Sequence, residues 1–515
     1  MSRRLFKSTF IFSFMTTISR VFGLIRDVVI ATFFGASVGT DVFFVAFKIP
    51  NYLRRLFAEG AFSQAFVPVL SEYKSQRSEA EARQLINHVT GTLGLVLLGV
   101  TVIGVIAAPV LIMIFAPGFI GDETRFGLAV DMLRITFPYI LFISLTALAG
   151  SILNTWGRFA VPAFTPVLLN LSLILSAIYL TRYMPAERQI MALAWGVFIA
   201  GVVQLLFQFP FLLRLRLLPR PQPQRTHEGV RRIVTLMIPT LFAVSVSQIN
   251  LMIDLLIASF LQTGSITWLY YSDRLMEFPL GVFGVALATV ILPDLSREFS
   301  SGSFERFSHK LDWALRWTLL ISLPAALGLI FLSGQSLTTI FNYGEFTTND
   351  VDMASRSLVA YAIGLCGFIL IKVFSSGYFS RQDTRTPVKI AVVAMASNII
   401  LSIALVFPLA HAGLALATSL AAFVNAGLLF YFLKKKGAYT PQRDWPVFFA
   451  RVGCACVAMS LLLFLFVPEA DTWMQWSTVH RVTELAIWIC LAMVVYFAVL
   501  RLSGLRLRQM TLDAE

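Results

Sequence analysis

Long apolar runs separated by short polar punctuation set the pattern of this chain. The runs cover residues 8–33, 40–70, 86–116, 127–153, 160–181, 190–213, 232–261, 266–295, 311–333, 353–379, 387–408, 412–433, 446–467 and 482–502. A lipid-spanning helix needs about 20 mostly apolar residues. The pattern therefore predicts an all-α polytopic membrane protein with fourteen transmembrane helices. Several runs are long enough to tilt or to extend past the hydrocarbon core.

The punctuation concentrates positive charge on one side. Arg3, Arg4 and Lys7, then Lys74, Arg77 and Arg83, then Arg214 through Arg232, Arg381 through Lys389, Lys434 through Arg443 and Arg501 through Arg508 fall in alternate loops. The intervening loops, such as NYGEFTTNDVD (342–352) and VPEADTWMQW (467–476), hold few cations. Lys and Arg collect on the cytoplasmic side of membrane proteins, so both termini are expected in the cytoplasm. The N-terminal stretch MSRRLFKSTFIFSFMTT lacks a small-residue cleavage site and reads as an uncleaved first helix.

A repeat divides the chain. A shift of 225 residues carries Pro68 and Ser71 onto Pro293 and Ser296, and Pro162 onto Pro387. A shift of 226 carries IFAPG (114–118) onto IFNYG (340–344). Two six-helix halves follow, and because six crossings return the chain to its starting side, they are parallel pseudo-repeats. The expected organisation is a first lobe at 1–216, a cytoplasmic linker at 217–231, a second lobe at 232–437, and two extra helices within 438–515.

Composition agrees with a bilayer protein. Of 515 residues, 57% are hydrophobic and only 13% charged, against about 25% charged in a soluble chain; the mean hydropathy is +0.77. The formal charge of +13 is accounted for by cytoplasmic loops, so no nucleic-acid partner is inferred. The four cysteines lie in apolar stretches without zinc-ligand spacing and are expected to be buried, inert thiols. No P-loop, HExxH or dinucleotide fingerprint is present. GASVG (35–39) matches G-x-S-x-G, but it joins two membrane helices and is expected to be a turn, since a nucleophile elbow needs a preceding strand. No catalytic centre and no metal site are expected.

Charge inside the apolar runs is the informative feature. One ionised residue at the middle of a membrane helix costs roughly 2.5–3.5 kcal/mol. The first span nevertheless holds Arg20, Arg26 and Asp27, with Arg20, Gly23 and Asp27 sharing a helix face. The second adds Asp41, Lys48, Arg54, Arg55 and Glu59, the eighth Asp273, Arg274 and Glu277, and the tenth Lys372. Interhelical ion pairing would explain single residues. Counted with Lys48 and Lys372, the seven cations outnumber the five acids, which points to an anionic cargo, and the guanidinium fork suits phosphate.

At these residues the chain resembles a known family. SRVFGLIRD, FFGASVGTDVFFVAFKIPNYLRRLFAEGAFSQAFVPVLSEYK, LNTWGRFAVPAFTP, YYSDRLMEFPLGVFGVALATVILPDLS and YFSRQDTRTPVKIA resemble the MurJ (MviN) family of lipid II flippases. The family belongs to the multidrug, oligosaccharidyl-lipid and polysaccharide exporter superfamily, and the similarity covers essentially the whole chain. It implies a fourteen-helix fold with two lobes around a cationic cavity, and a bacterial inner-membrane location. It implies as cargo lipid II, an undecaprenyl diphosphate carrying a disaccharide-pentapeptide, flipped to the periplasmic leaflet by alternating access during peptidoglycan synthesis. Carried onto this chain, the family's charges give Arg20, Arg26, Arg54, Arg274 and Lys372 as cargo-binding residues. Asp27, Asp41, Glu59, Asp273 and Glu277 become orienting or gating residues. The last two helices are expected to form a groove for the lipid tail. Gly23, Pro50 and Pro279 are expected to absorb bending. No cofactor is expected; a coupling ion or the membrane potential would supply energy. Expected partners are lipid II, membrane lipids and the cell-wall synthesis machinery. The rival readings are an exporter of drugs or of another polyprenyl-linked oligosaccharide, and a membrane enzyme acting on polyprenyl diphosphates.

Overall fold

The computed structural model describes residues 3–55, 62–224 and 226–505. The described residues form helices and the turns between them, with no strand among them. The chain divides into two compact units, Met1–Gly264 and Ser265–Glu515.

The first unit contains α1 (Arg3–Phe34), α2 (Val38–Arg54), α3 (Ser63–Gln76), α4 (Glu79–Ile106), α5 (Ala108–Phe115), α6 (Glu123–Thr136), α7 (Tyr139–Thr155), α8 (Ala160–Tyr179), α9 (Met191–Arg214) and α10 (Glu228–Ala258). GASVG is the expected turn: α1 ends at Phe34, Gly35 adopts φ +56°, and the Ser37 hydroxyl caps α2 by accepting the Thr40 amide. That hydroxyl is engaged as a helix cap, which satisfies one of the amides a helix start leaves orphaned. One core of the unit packs Phe62, Phe66, Leu70 and Tyr73 against Leu85, Ile152, Leu212 and Ile233.

The boundary between the units falls after α10, at 264/265, and not in the linker that separates the repeats. Contacts on both sides of α10 account for this. Arg232 pairs with Glu72 at 2.9 Å and Arg77 with Glu228 at 3.4 Å. Beyond α10, the Gly118 amide donates to Ser259 Oγ at 3.0 Å, Arg125 donates to Thr263, and the Gly264 amide donates to Asp41 Oδ2 at 2.6 Å.

The second unit contains α11 (Ser265–Pro279), α12 (Val285–Ser300), α13 (Phe304–Phe331), α14 (Ser333–Phe341), α15 (Thr348–Phe379), α16 (Arg385–Lys435), α17 (Trp445–Phe466), α18 (Ala470–Met474) and α19 (Thr478–Leu502). A π-helical turn at Leu280–Gly284 follows Pro279; inserted residues of this kind and prolines are what bend helices. Although α16 runs for 51 residues, Ala410 breaks it with φ 48° and ψ −129° just after Pro408. This is the point where the hydropathy pattern divides two spans. Ten helices or helix runs among the described residues are long and apolar enough to cross a membrane, with α16 counted once and α1, α2 and α10 outside that set. Fourteen crossings remains the expectation from sequence.

The two extra helices are fastened to the second half at three levels. Leu319 and Leu320 of α13 pack against Val452, Ala455 and Met459 of α17 and Tyr496 of α19, whose hydroxyl donates to the Leu320 carbonyl at 2.8 Å. At one end, Asp312 is a buried hub. It accepts from Tyr439 Oη and Trp445 Nε1, both at 2.6 Å, and from Arg316 Nε at 2.7 Å, while Arg316 also reaches Asp444 at 2.7 Å. At the other end, Arg481 of α19 is buried and donates to the carbonyls of Trp473, Trp476 and Asn342 at 3.0–3.3 Å. The cysteine expectation needs correction: Cys366 and Cys456 are buried, whereas Cys454 and Cys490 are exposed. The exposed pair lie on the outward faces of α17 and α19, whose inward faces pack on α13. Among the described residues no group of three or more metal-ligating side chains occurs.

Removing one member of a buried ionic network leaves the others unsatisfied and costs about 3–5 kcal/mol. Asp312→Ala is therefore expected to lower the thermal unfolding midpoint of the detergent-solubilised protein clearly, and Asp312→Asn, which keeps an acceptor, by less. Equal midpoints for wild type and Asp312→Ala would remove the hub.

Candidate functional site

In the first unit the charges of α1 separate into two environments. Arg26 is 7% exposed and Asp27 fully buried. Arg26 donates to Asp27 Oδ1 from Nε at 2.9 Å and from Nη2 at 2.6 Å. Neighbouring residues on a helix point about 100° apart, and the length of the arginine closes that gap. The third contact comes from α8, which packs alongside α1. Arg26 Nη1 donates to Asn170 Oδ1 at 3.0 Å, and Asn170 Nδ2 donates to the Ser19 carbonyl at 3.1 Å. Asn170 is 6% exposed, so both ends of its amide are used within the helix pair. A buried charge is tolerable only when paired and hydrogen-bonded, and these contacts meet that requirement for Arg26.

Arg20 stands two turns earlier, about 10 Å along the helix axis. Gly23 and Asp27, predicted to share its face, are buried, whereas Arg20 itself is exposed. Its side chain makes no ion pair or hydrogen bond among the described residues. Arg20 and Arg26 thus differ: Arg26 is locked and Arg20 is presented.

The acids and arginine of the second span are dispersed. Asp41, 5% exposed at the start of α2, holds the Gly264 amide. Arg54, at the other end of α2, is half-buried and donates from Nε to Asn51 Oδ1 at 2.8 Å. Thirteen positions apart on α2, Asp41 and Arg54 lie roughly 20 Å apart along the axis. Glu59 lies outside the described residues.

In the second unit, α11 is fixed to α15 by one face. Trp268 Nε1 donates to Asp350 Oδ1 at 2.9 Å, Ser272 Oγ donates to the Ala354 carbonyl at 2.7 Å, and Met276 continues that buried stripe. The four-residue spacing of Trp268, Ser272 and Met276 marks the packed side. Asp273, Arg274 and Glu277 fall off that stripe and are half-buried or exposed. Arg274 pairs with Glu277 at 3.5 Å with the carboxylate half exposed, an ion pair worth at most about 1 kcal/mol. Lys372 is exposed on α15. It lies eighteen residues beyond Ala354, about 27 Å along the helix, whereas Arg274 stands level with Ala354 to within a turn. The structure therefore sets Lys372 and Arg274 at well-separated depths.

Asn170 was missed by sequence reasoning, which weighed only ionisable residues. Its signal was present: a lone amide in TPVLLNLSLILS, 165–176, where an unsatisfied polar group would be costly.

The MurJ family model, described as "Lipid II flippase MurJ", matches residues 30–484. A protein of Vibrio cholerae serotype O1 described as "Probable lipid II flippase MurJ" is 49% identical, over 100% of this chain and 99% of its own. "Lipid II flippase MurJ" of Burkholderia cenocepacia is 41% identical over 98% of each chain. Among solved structures, "Lipid II flippase MurJ, inward closed conformation" superposes with a TM-score of 0.79 at 30% identity, covering 95% of this chain and 97% of that one. An inward-facing multidrug transporter of the MATE family, in the MOP superfamily, superposes at 0.65 with 14% identity over 81% of this chain and 94% of its own; at that identity it supports the fold alone.

If Arg26 is held chiefly by Asp27, removing the acid alone leaves a buried cation and costs about 3–5 kcal/mol. Asp27→Ala is expected to unfold at a lower temperature than the Arg26→Ala/Asp27→Ala double variant. The reverse order in a thermal-shift measurement would refute the pairing. Asn170→Ala is expected to cost about 1–3 kcal/mol through the unsatisfied groups it leaves.

Proposed function

The chain belongs to the MurJ family of lipid II flippases, and from that membership we propose that it flips lipid II across the bacterial inner membrane by alternating access. The observation that carries this reading is identity of 49% along the whole of a flippase-family relative. The apolar helices and the charges placed within them agree with it. A flippase needs no covalent step, so its residues act by binding, orienting and excluding lipid from a polar head group.

The cargo's diphosphate is the anionic part an arginine would hold, through paired, charge-assisted hydrogen bonds. Arg20 is the leading candidate in the first unit because it is exposed and lacks a partner among the described residues. Arg274 is the candidate in the second, since it falls off the stripe that packs α11 on α15. Arg26 supplies a fixed positive charge, oriented by Asp27 and Asn170. Arg54 and Lys372 are read as secondary contacts to the head group. Asp41 serves to hold the segment that ends the first unit. Asp273, Glu277 and Glu59 retain the orienting role expected from sequence. The distribution of loop cations supports a cytoplasmic position for both termini.

Depletion of the protein in cells without another flippase is expected to block exposure of lipid II at the periplasmic face, read by an externally added lipid II-cleaving enzyme. Unchanged exposure would sink the reading. Arg20→Ala and Arg274→Ala are expected to reach the membrane in normal amounts and fail to restore exposure. Arg20→Lys is expected to restore it only in part, because an ammonium lacks the planar fork. Full restoration by Arg20→Ala would remove Arg20 from the diphosphate site.

A further inference from the structure

The segment joining the two repeats is built as a docked strap. Residues 219–224 read PRPQPQ, with proline at every second position. The three residues between and after the prolines all turn their amides to α4. Arg220 N donates to Asn87 Oδ1 at 2.8 Å, Gln222 N to the Asn87 carbonyl at 3.2 Å, and Gln224 N to Thr92 Oγ1 at 3.2 Å. Successive residues of an extended chain face opposite ways, so the alternate prolines occupy the positions whose amides would have faced away. Proline has no amide to leave unsatisfied. Every backbone donor from 219 to 224 is thus spent on α4.

The approach is close. A Cβ added at Gly91 of α4 would lie 2.5 Å from the backbone of Gln222 and Pro223, so only glycine admits the strap at this depth. His88 Nδ1 meets the Gln222 carbonyl at 3.0 Å. Where the strap enters α10, His227 caps the helix by accepting the Gly229 amide at 3.2 Å. Burial, with His88 next to it, keeps the His227 pKa below its usual value, which favours the neutral ring that can accept. Gly229 lets α10 press on Leu85 and Tyr73, and the Glu72–Arg232 and Arg77–Glu228 pairs lie beside it.

We propose that residues 218–224 are a positioning strap that holds the leading end of α10 on α4, so that α10 travels with the first unit and transport requires the docked strap. This rests on the flippase reading for its transport readout only. Docking is measured separately, by the distance between spin labels on Arg83→Cys and Arg231→Cys in a background lacking the exposed Cys454 and Cys490.

The test replaces residues 219–224 with GSGSGS, equal in length and free of proline, and separately makes Gly91→Ala. The wild-type protein is expected to give one narrow label distance, unchanged when lipid II is added. Both variants are expected to broaden that distance and to lower lipid II flipping about fivefold or more, the scale of a conformational coupling. A broadened distance with wild-type flipping would overturn the proposal. So would a wild-type distance that shifts by about 5 Å, a helical turn, on adding lipid II. Gly91→Ala leaves the linker sequence intact and carries the same test should the replacement fail to accumulate. A wild-type protein that flips no lipid II would refute the flippase reading and leave the distance result standing.

Discussion

A charge buried among apolar helices must bring its partners with it, and most of the structure's polar detail follows from that constraint. Arg26 has Asp27 and Asn170, Asp312 has two aromatic donors and a guanidinium, and Arg481 has a set of backbone carbonyls. The three solutions differ in chemistry but agree in satisfying each group inside its own unit. Burial of an unpaired ion would cost far more than any one helix contact returns. What is left less completely satisfied, above all Arg20, is also what stays exposed.

The same economy separates the fixed parts from the working ones. The extra C-terminal helices are fastened to α13 at one end and in the middle and to the end of α14 at the other, so they form an extension of the second unit. Within the first unit, Asp41 and the strap secure the far and near sides of α10. Stiff bodies bounded by a few defined joints suit a transporter that must change access without remodelling its cores.

Much of this was legible in the sequence. Hydropathy located the helices, the break at Ala410 falls between two apolar runs, and Ser37 in GASVG proved to be a helix cap. The spacing on α1 placed Arg20 and Asp27 on one face, whereas it is Arg26 that pairs with Asp27. It could not distinguish Arg20 from Arg26, because a helical wheel gives direction along one helix but not where α8 lies. Asp312 and Arg316 escaped notice because they stand at the start of an apolar run, where charge ordinarily meets water. The linker was recognised by its charges and its place between the repeats, features that equally describe a loose tether. Only the positions of its amides against Asn87 and Thr92 reveal the difference, and amide direction is not written in composition. The unit boundary fell after α10 because its contacts with Glu72, Arg77 and α4 are tertiary.

The adjacency of Arg26 and Asp27 has a consequence for how the protein is made. A pair formed by consecutive residues needs no second helix, so the first span can neutralise this charge while it is still alone at the insertion machinery. Asn170 emerges far later in synthesis and can complete the site only after α8 has entered the bilayer. Assembly therefore proceeds from a tolerated span to a finished one, and the order of translation is also the order in which the buried cation acquires its partners.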